Sequence, residues 1–247
     1  MSFLIGLTAG VFGGLVGLGG GILMIPLMVI FKKLGQHKAH GTSLVALVFT
    51  GIFGAIAYSL YSRVDIQAAV LLAAAALLPA RWGATYCCDV PEDRLQKLFG
   101  IFIIVISIFL LLKPCLPSVL YLHRGGVYQI LILLVTGALT GFVSGLMGIG
   151  GGAIMISGMV LLAGFDQHTA QGTSLLAMVP AGAMGAFTHW QLGNVEKDIL
   201  WGLIPGIVIG TFTGGTVVHL LPELALRVIF AAVLIWTGLR FIRINGR

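Results

Sequence analysis

The sequence predicts an all-α polytopic membrane protein made of two homologous halves, the first element of each half broken at a Gly-rich loop. Three observations predict it. Of 247 residues, 58% are hydrophobic and 9% charged, against about 25% charged in an ordinary soluble domain. Stretches such as 98–112 and 127–147 carry no charge at all, and a bilayer-spanning helix needs about 20 apolar residues. Residues 10–46 recur without a gap as 141–177, an offset of 131, with 19 of 37 positions identical.

Backbone polar groups in hydrocarbon must be satisfied within their own segment, so helices are expected. The apolar runs are also longer and more continuous than barrel strands. Each half reads as four elements. They are 3–33, 42–62, 66–86 and 95–112 in the first half, and 134–164, 173–193, 198–219 and 224–242 in the second. The chain thus divides into a first repeat, 1–112, a second, 134–247, and 113–133 as a connecting loop and the start of the next helix.

The first element of each half is long and is cut at 17–21 or 148–152. Three successive glycines cost roughly 1 kcal/mol each relative to alanine inside a helix. Two short helices joined by a Gly-rich turn are therefore expected. The second elements open on Gly41-Thr42-Ser43-Leu44 and Gly172-Thr173-Ser174-Leu175, where Thr and Ser are natural N-caps. Asp65 and Glu196, equivalent in the repeat, are expected to cap the third elements. Isolated glycines such as Gly51, Gly54, Gly182 and Gly185 read as close-packing positions.

The formal net charge is +6. The 14 basic residues sit mostly in short loops and near the C-terminus, so they set topology and touch lipid headgroups, and no nucleic-acid partner is expected. If each first element crosses once, Lys and Arg split 7:7 between the two sides. If each first element returns to its starting side, the halves become inverted repeats. Lys32, Lys33, Lys38, Arg81, Arg94, Lys97, Lys197, Arg240, Arg243 and Arg247 then share one side, leaving Arg63, Lys113, Arg124 and Arg227 on the other. The 10:4 split favours inversion, in the cytoplasmic (inner) membrane with a cytoplasmic C-terminus. The N-terminus has no basic n-region or small-residue cleavage site, so no signal peptide is expected.

A break in a membrane helix exposes backbone groups, glycine admits a ligand close to them, and the helix that resumes points its positive end at the gap. That suits an anion. The substrate-binding candidates are Gly17, Gly19, Gly20, Gly21, Thr42 and Ser43, with Gly148, Gly150, Gly151, Gly152, Thr173 and Ser174. His37 and His168, equivalent in the repeat, have two readings: a titratable gate or a loop residue capping its helix. Arg81, inside the third element, either attracts an anionic substrate or snorkels to the nearby end. His189, the repeat partner of Tyr58, is expected at the interface.

All eight acids fall near element ends, which argues against a cation carrier and against a carboxylate relay at mid-membrane. Cys87, Cys88 and Cys115 suggest no disulfide framework. Met24 with Met155, and Met28 with Met159, read as packing rather than soft-metal ligands, so no metal and no cofactor are expected. No HExxH, GxSxG or complete P-loop occurs, so no enzyme activity is expected.

The repeated pattern resembles a known family. It runs Gly14-Leu15-x-Gly17-x-Gly19-Gly20-Gly21 with Pro26, then His37 to Leu44, and again from Gly145 to Gly152 and from His168 to Leu175. This is similar to the TauE/SafE family of sulfite exporter-type membrane proteins. The resemblance implies a secondary transporter for a small, often sulfur-containing anion such as sulfite, thiosulfate or sulfoacetate, working by alternating access. A passive anion channel or soft-metal carrier is the alternative in the same class, and a non-transporting assembly or sensor protein the alternative outside it. The coupling ion, H+ or Na+, and the oligomeric state stay open. One departure stands out: Ser157-Gly158 occupies the place of the proline seen in the first copy.

Overall fold

Both glycine-interrupted elements fold as two helices, both short in the first half, whereas the second half joins a span-length helix of 21 residues to a short one of 10. In the computed structural model, which describes residues 1–86, 126–147 and 150–243 and isolated positions between 101 and 111, the first is α1 (Ser2–Val16) and α2 (Gly21–Lys32). At 15 and 12 residues these rise about 22 and 18 Å, short of a hydrocarbon core about 30 Å thick. Then come α3 (Gln36–Ser59), α4 (Ile66–Tyr86), α5 (Val127–Met147), α6 (Gly152–Leu161), α7 (Gln167–Gln191), α8 (Lys197–Val217), a 3-10 turn (Val218–Leu220) and α9 (Glu223–Arg243). The segments His37–Ser59, Ile66–Tyr86, Val127–Leu146 and Lys197–Leu220 are long and apolar enough to cross a membrane. The expected element 95–112 and Cys87, Cys88 and Cys115 lie outside the described residues.

Three helix starts differ from expectation. Helix α3 starts at Gln36 and α7 at Gln167, six residues ahead of the Thr-Ser pairs. The glycines taken as openings lie inside these helices because each lets a loop approach: Gly41 faces the Asn194 carbonyl and Gly172 the Arg63 carbonyl, where any side chain would collide. The true N-caps are Gly35 and Asp166. The side chain of Asp166 accepts from Thr169 N at 3.1 Å. Helix α5 also begins earlier than expected, at Val127, because the apolar run simply continues upstream.

The helices interlock across the repeat. α1 runs parallel to α8, with Gly6 against Leu203, Gly10 against Ile207 and Gly14 against Thr211. α4 runs parallel to α5, with Gly137 against Leu72, Gly141 against Ala76 and Gly145 against Ala80. Every contact in the first set recurs in the second at the 131-residue offset. α3 and α7, themselves equivalent, pair in opposite directions: Leu44 meets Gly185, Leu47 meets Gly182 and Gly51 meets Leu175. These small residues let backbones close to contact, the usual basis of helix association in lipid. The paired methionines pack as expected, with Met24, Met28, Met155 and Met159 fully buried in apolar clusters.

Asp166 illustrates the local electrostatics at a helix end outside the spans. Partial burial works against its charge, but the Thr169 side chain and N–H and the Arg63 guanidinium at 3.5 Å hold its carboxyl below the usual carboxylate range. Asp166→Ala is expected to cost about 1 kcal/mol of stability. Because the folded state lowers this pKa, the contribution is present above the unfolded carboxylate range and fades as pH falls through it. Thermal melts of wild type and variant at pH 7 and at pH 3 check this; the gap should narrow at pH 3.

Candidate functional site: the glycine junction

α1 ends where Gly17 turns left-handed (φ 75°), its N–H donating to Gly13 O at 2.8 Å. Gly19 and Gly20 are also left-handed, at φ 79° and 75°, and α2 resumes at Gly21. The chain doubles back here. Gly20 lies on the Ala9 carbonyl, and Ile5 and Ala9 share one apolar cluster with Met24 and Met28. In the second copy Gly150 (φ 91°) and Gly151 (φ 65°) make the same left-handed entry into α6, with Gly151 against Thr140, the repeat partner of Ala9. Gly148 lies outside the described residues.

The two loops meet. A Cβ on Gly19 would sit 2.9 Å from Leu47 Cδ1 and 3.3 Å from Met178 Sδ; one on Gly150 would meet the same two side chains, with Met178 Sδ at 3.2 Å. One on Gly152 would sit 2.9 Å from the Gly17 carbonyl oxygen. Leu47 and Met178 are repeat partners at the middles of α3 and α7. The junction thus lies midway along the two central helices. Leu23 and Met24 N–H donate to Gly20 O, and Ile154 and Met155 N–H to Gly151 O. Among the described residues, the N–H groups of Gly19, Gly20, Gly21 and Ile22 meet no backbone acceptor. The α2 start therefore presents unspent donors, and both helix starts point their positive dipole ends toward one region.

A buried polar shell holds these loops. The Ser174 hydroxyl lies 3.0 Å from Gly17 O and 2.8 Å from Gln171 O, both acceptors. Tyr58 OH lies 3.0 Å from Gly14 O and 3.1 Å from Gln171 Oε1. Its repeat partner His189 places Nε2 3.4 Å from Gly145 O, the equivalent carbonyl. Ser43 Oγ donates to His40 O at 2.7 Å.

The threonines do something the sequence reading missed. They are not caps of their own helices. Thr42 Oγ1 accepts from Glu196 N at 2.9 Å, and Thr173 Oγ1 accepts from Asp65 N at 2.9 Å. Each hydroxyl thus terminates the loop leading into a third-element helix of the opposite half. Asp65 does cap α4, its carboxylate accepting from Ala68 N at 2.9 Å. Glu196 is the N-cap residue of α8 but makes no side-chain cap bond; it pairs with Lys38 at 2.8 Å instead.

The remaining candidates are scattered. His37 is exposed at the start of α3. His168 stacks on His219 with ring centroids 5.7 Å apart, and His219 in turn stacks on Tyr61 at 4.0 Å. Arg81 is exposed on α4, so it belongs to the outer surface of the bundle rather than to the junction. His189, expected at the interface, is 1% exposed, because Gly41 opens room for its Cβ against α3.

The residues missed were Leu47 with Met178, and Tyr58 and Gln171 with their repeat partners His189 and His40. The signal available was positional. Each pair sits at the same place in the two copies, and His40 and Gln171 fall inside the duplicated His-to-Leu motif itself.

A family model described as sulfite exporter TauE/SafE matches residues 2–241. A "probable membrane transporter protein YunE" of Bacillus subtilis (strain 168) is 30% identical over 267 residues, covering 98% of each chain. A "probable membrane transporter protein MJ0441" of Methanocaldococcus jannaschii is 27% identical, covering 79% of this chain and 73% of that one. The "sulfite exporter TauE/SafE family protein 5" of Arabidopsis thaliana is 32% identical over 108 residues, covering 42% of this chain and 24% of that protein. No solved structure matches.

Proposed function

Because the chain belongs to the sulfite exporter TauE/SafE family, we propose that it is a secondary transporter that moves a small sulfur-containing oxyanion or sulfonate across the cytoplasmic membrane by alternating access, with the glycine junction as its binding site. The observation that carries this reading is the meeting of the α2 and α6 starts midway along α3 and α7. Broken helices near the midplane are where transporters of this general build hold their substrates. Unspent N–H groups and dipole ends suit an oxyanion that needs several donors rather than one full countercharge.

Flux into proteoliposomes with sulfite, thiosulfate, sulfoacetate, sulfate and Cu(I) tests it. Saturable movement of at least one sulfur anion is expected. Movement of Cu(I) alone would replace the reading with that of a soft-metal carrier, which the placement of Met178 Sδ at the junction makes worth the arm.

The inverted arrangement belongs to the same proposal. Its supports are the opposed run of α3 and α7 and the ion pairs at their ends. Lys38 and Glu196 join the starts of α3 and α8, whereas Arg63 and Asp166 join the end of α3 to the start of α7. Single cysteines at positions 36 and 167 are therefore expected to label from opposite faces of the membrane. Labelling from one face would overturn the inversion.

A further inference from the structure

α7 is 25 residues long and carries no Asp, Glu, Lys or Arg, yet it is not among the helices apolar enough to cross a membrane. One face carries a line of side chains that end in an amide, a hydroxyl or a sulfur. Gln167, Gln171, Ser174 and Met178 follow at helical spacing, from the first turn of α7 down to the glycine junction. Both glutamines are fully buried. Gln171 Nε2, and both Nε2 and Oε1 of Gln167, have no hydrogen-bond partner. A buried amide left unpaired costs about 1–3 kcal/mol, so two on successive turns need a reason.

The orientation of Gln171 is set by its neighbours. Its Cβ and Cγ lie beside Gly17, its Oε1 faces Tyr58 OH, and Ser174 ties the next turn to Gly17 O. Turning the amide over would give Tyr58 one N–H and leave the other without an acceptor. In either orientation a donor remains beside the loop.

We propose that Gln167 and Gln171 form a two-rung amide ladder on α7 that takes the oxyanion from the α7 start to the glycine junction, with Gln171 as the specificity-determining donor. The ladder rests on the anion-transport reading above. It deepens that reading by assigning side-chain donors to one approach only. The equivalent of Gln171 on the other approach is His40, so the two approaches present different donors to the same anion. An amide donates without adding charge, so it favours an oxyanion that passes over one that stays bound.

The test uses the purified full chain with thiosulfate and sulfite as probes, comparing wild type with Q171M, Q171E and Q167M. Q171M keeps the side-chain length and removes the unpaired Nε2 together with the Oε1 that faces Tyr58 OH, whose proton Gly14 O still accepts. Its apo melting temperature should equal or exceed that of wild type, the reverse of losing a structural hydrogen bond. Its thiosulfate- and sulfite-dependent thermal stabilisation should vanish, and its flux KM should rise at least about tenfold. Q171E keeps an acceptor for Tyr58 and near-identical shape, and should show the same loss. Q167M should raise KM by a smaller factor. Wild-type KM and stabilisation in both Q171E and Q171M would overturn the ladder while leaving the transport reading intact. If Q171M fails to fold, Q171E alone decides. A wild type that neither moves nor is stabilised by any sulfur anion would overturn the transport reading and the ladder with it.

Discussion

Gly20→Ala and Gly151→Ala are each expected to abolish sulfur-anion flux, with Gly20→Ala also the more damaging to stability. Both residues are left-handed, at φ 75° and 65°, which costs an L-residue with a Cβ about 1–2 kcal/mol. The space is also taken. A Cβ at position 20 would lie 2.5 Å from the Ala9 carbonyl oxygen, and one at 151 would run into Thr140 Cγ2. Ala9 presents backbone inside α1 and cannot yield without moving that helix. Thr140 presents a methyl that can rotate. Overpacking adds roughly 1–3 kcal/mol where nothing yields. The damage falls on the residues that aim the first N–H groups of α2 and α6, so even a folded variant would present them wrongly. Gly35→Ala is the control. Its φ is −62° and nothing lies within 4 Å of the added methyl, so melting temperature and flux should stay near wild type. Flux in Gly20→Ala at the wild-type rate would show that the left-handed entry is not needed for transport.

Much of this architecture was legible because the sequence states it twice. The third element, read as 66–86, is α4 to the residue. The glycine breaks fall where the triplets are, since no helix interior favours three glycines in a row. What stayed hidden depends on contacts between distant residues. Gly41 and Gly172 read as helix openings because a glycine beside Thr-Ser looks like a boundary; only the approach of the 194 and 63 carbonyls explains why they sit inside helices. His189 read as interfacial because a histidine late in a span usually is. Its burial follows from Gly41, whose missing side chain admits the His189 Cβ beside α3, with the Gly145 carbonyl within reach of its ring. Gln171 carries little signal alone, because nothing in the sequence says what its amide faces. Its meaning appears only when Gly17 and Tyr58 are brought beside it.

Thr42→Val and Thr173→Val should destabilise the protein strongly and by similar amounts, and their combination should approach the sum. Each threonine is fully buried, and each hydroxyl accepts the backbone N–H of a residue 154 or 108 positions away, Glu196 or Asp65, at 2.9 Å. Valine keeps the shape and deletes the acceptor. The orphaned N–H sits in a part-buried loop, where an unmet donor costs about 1–3 kcal/mol. The two bonds share no partner, so the double variant should lose roughly 2–6 kcal/mol, a large share of a typical folding free energy. Serine at either position restores the acceptor and should recover most of the loss, which separates the hydrogen bond from the shape of the side chain. Were these residues caps of α3 and α7, as their place before a helical run first suggests, the loss would instead fray the starts of those helices. Hydrogen exchange distinguishes the two. Loss of protection at 65–69 and 196–200 in the variants fits bonds made across the halves, while loss at 36–40 and 167–171 would overturn that assignment. The cross-half bond also explains why the Gly-Thr-Ser-Leu run recurs as a unit. Glycine admits the opposite loop, threonine terminates it, and in the second copy serine holds the glycine turn on which the proposed site depends.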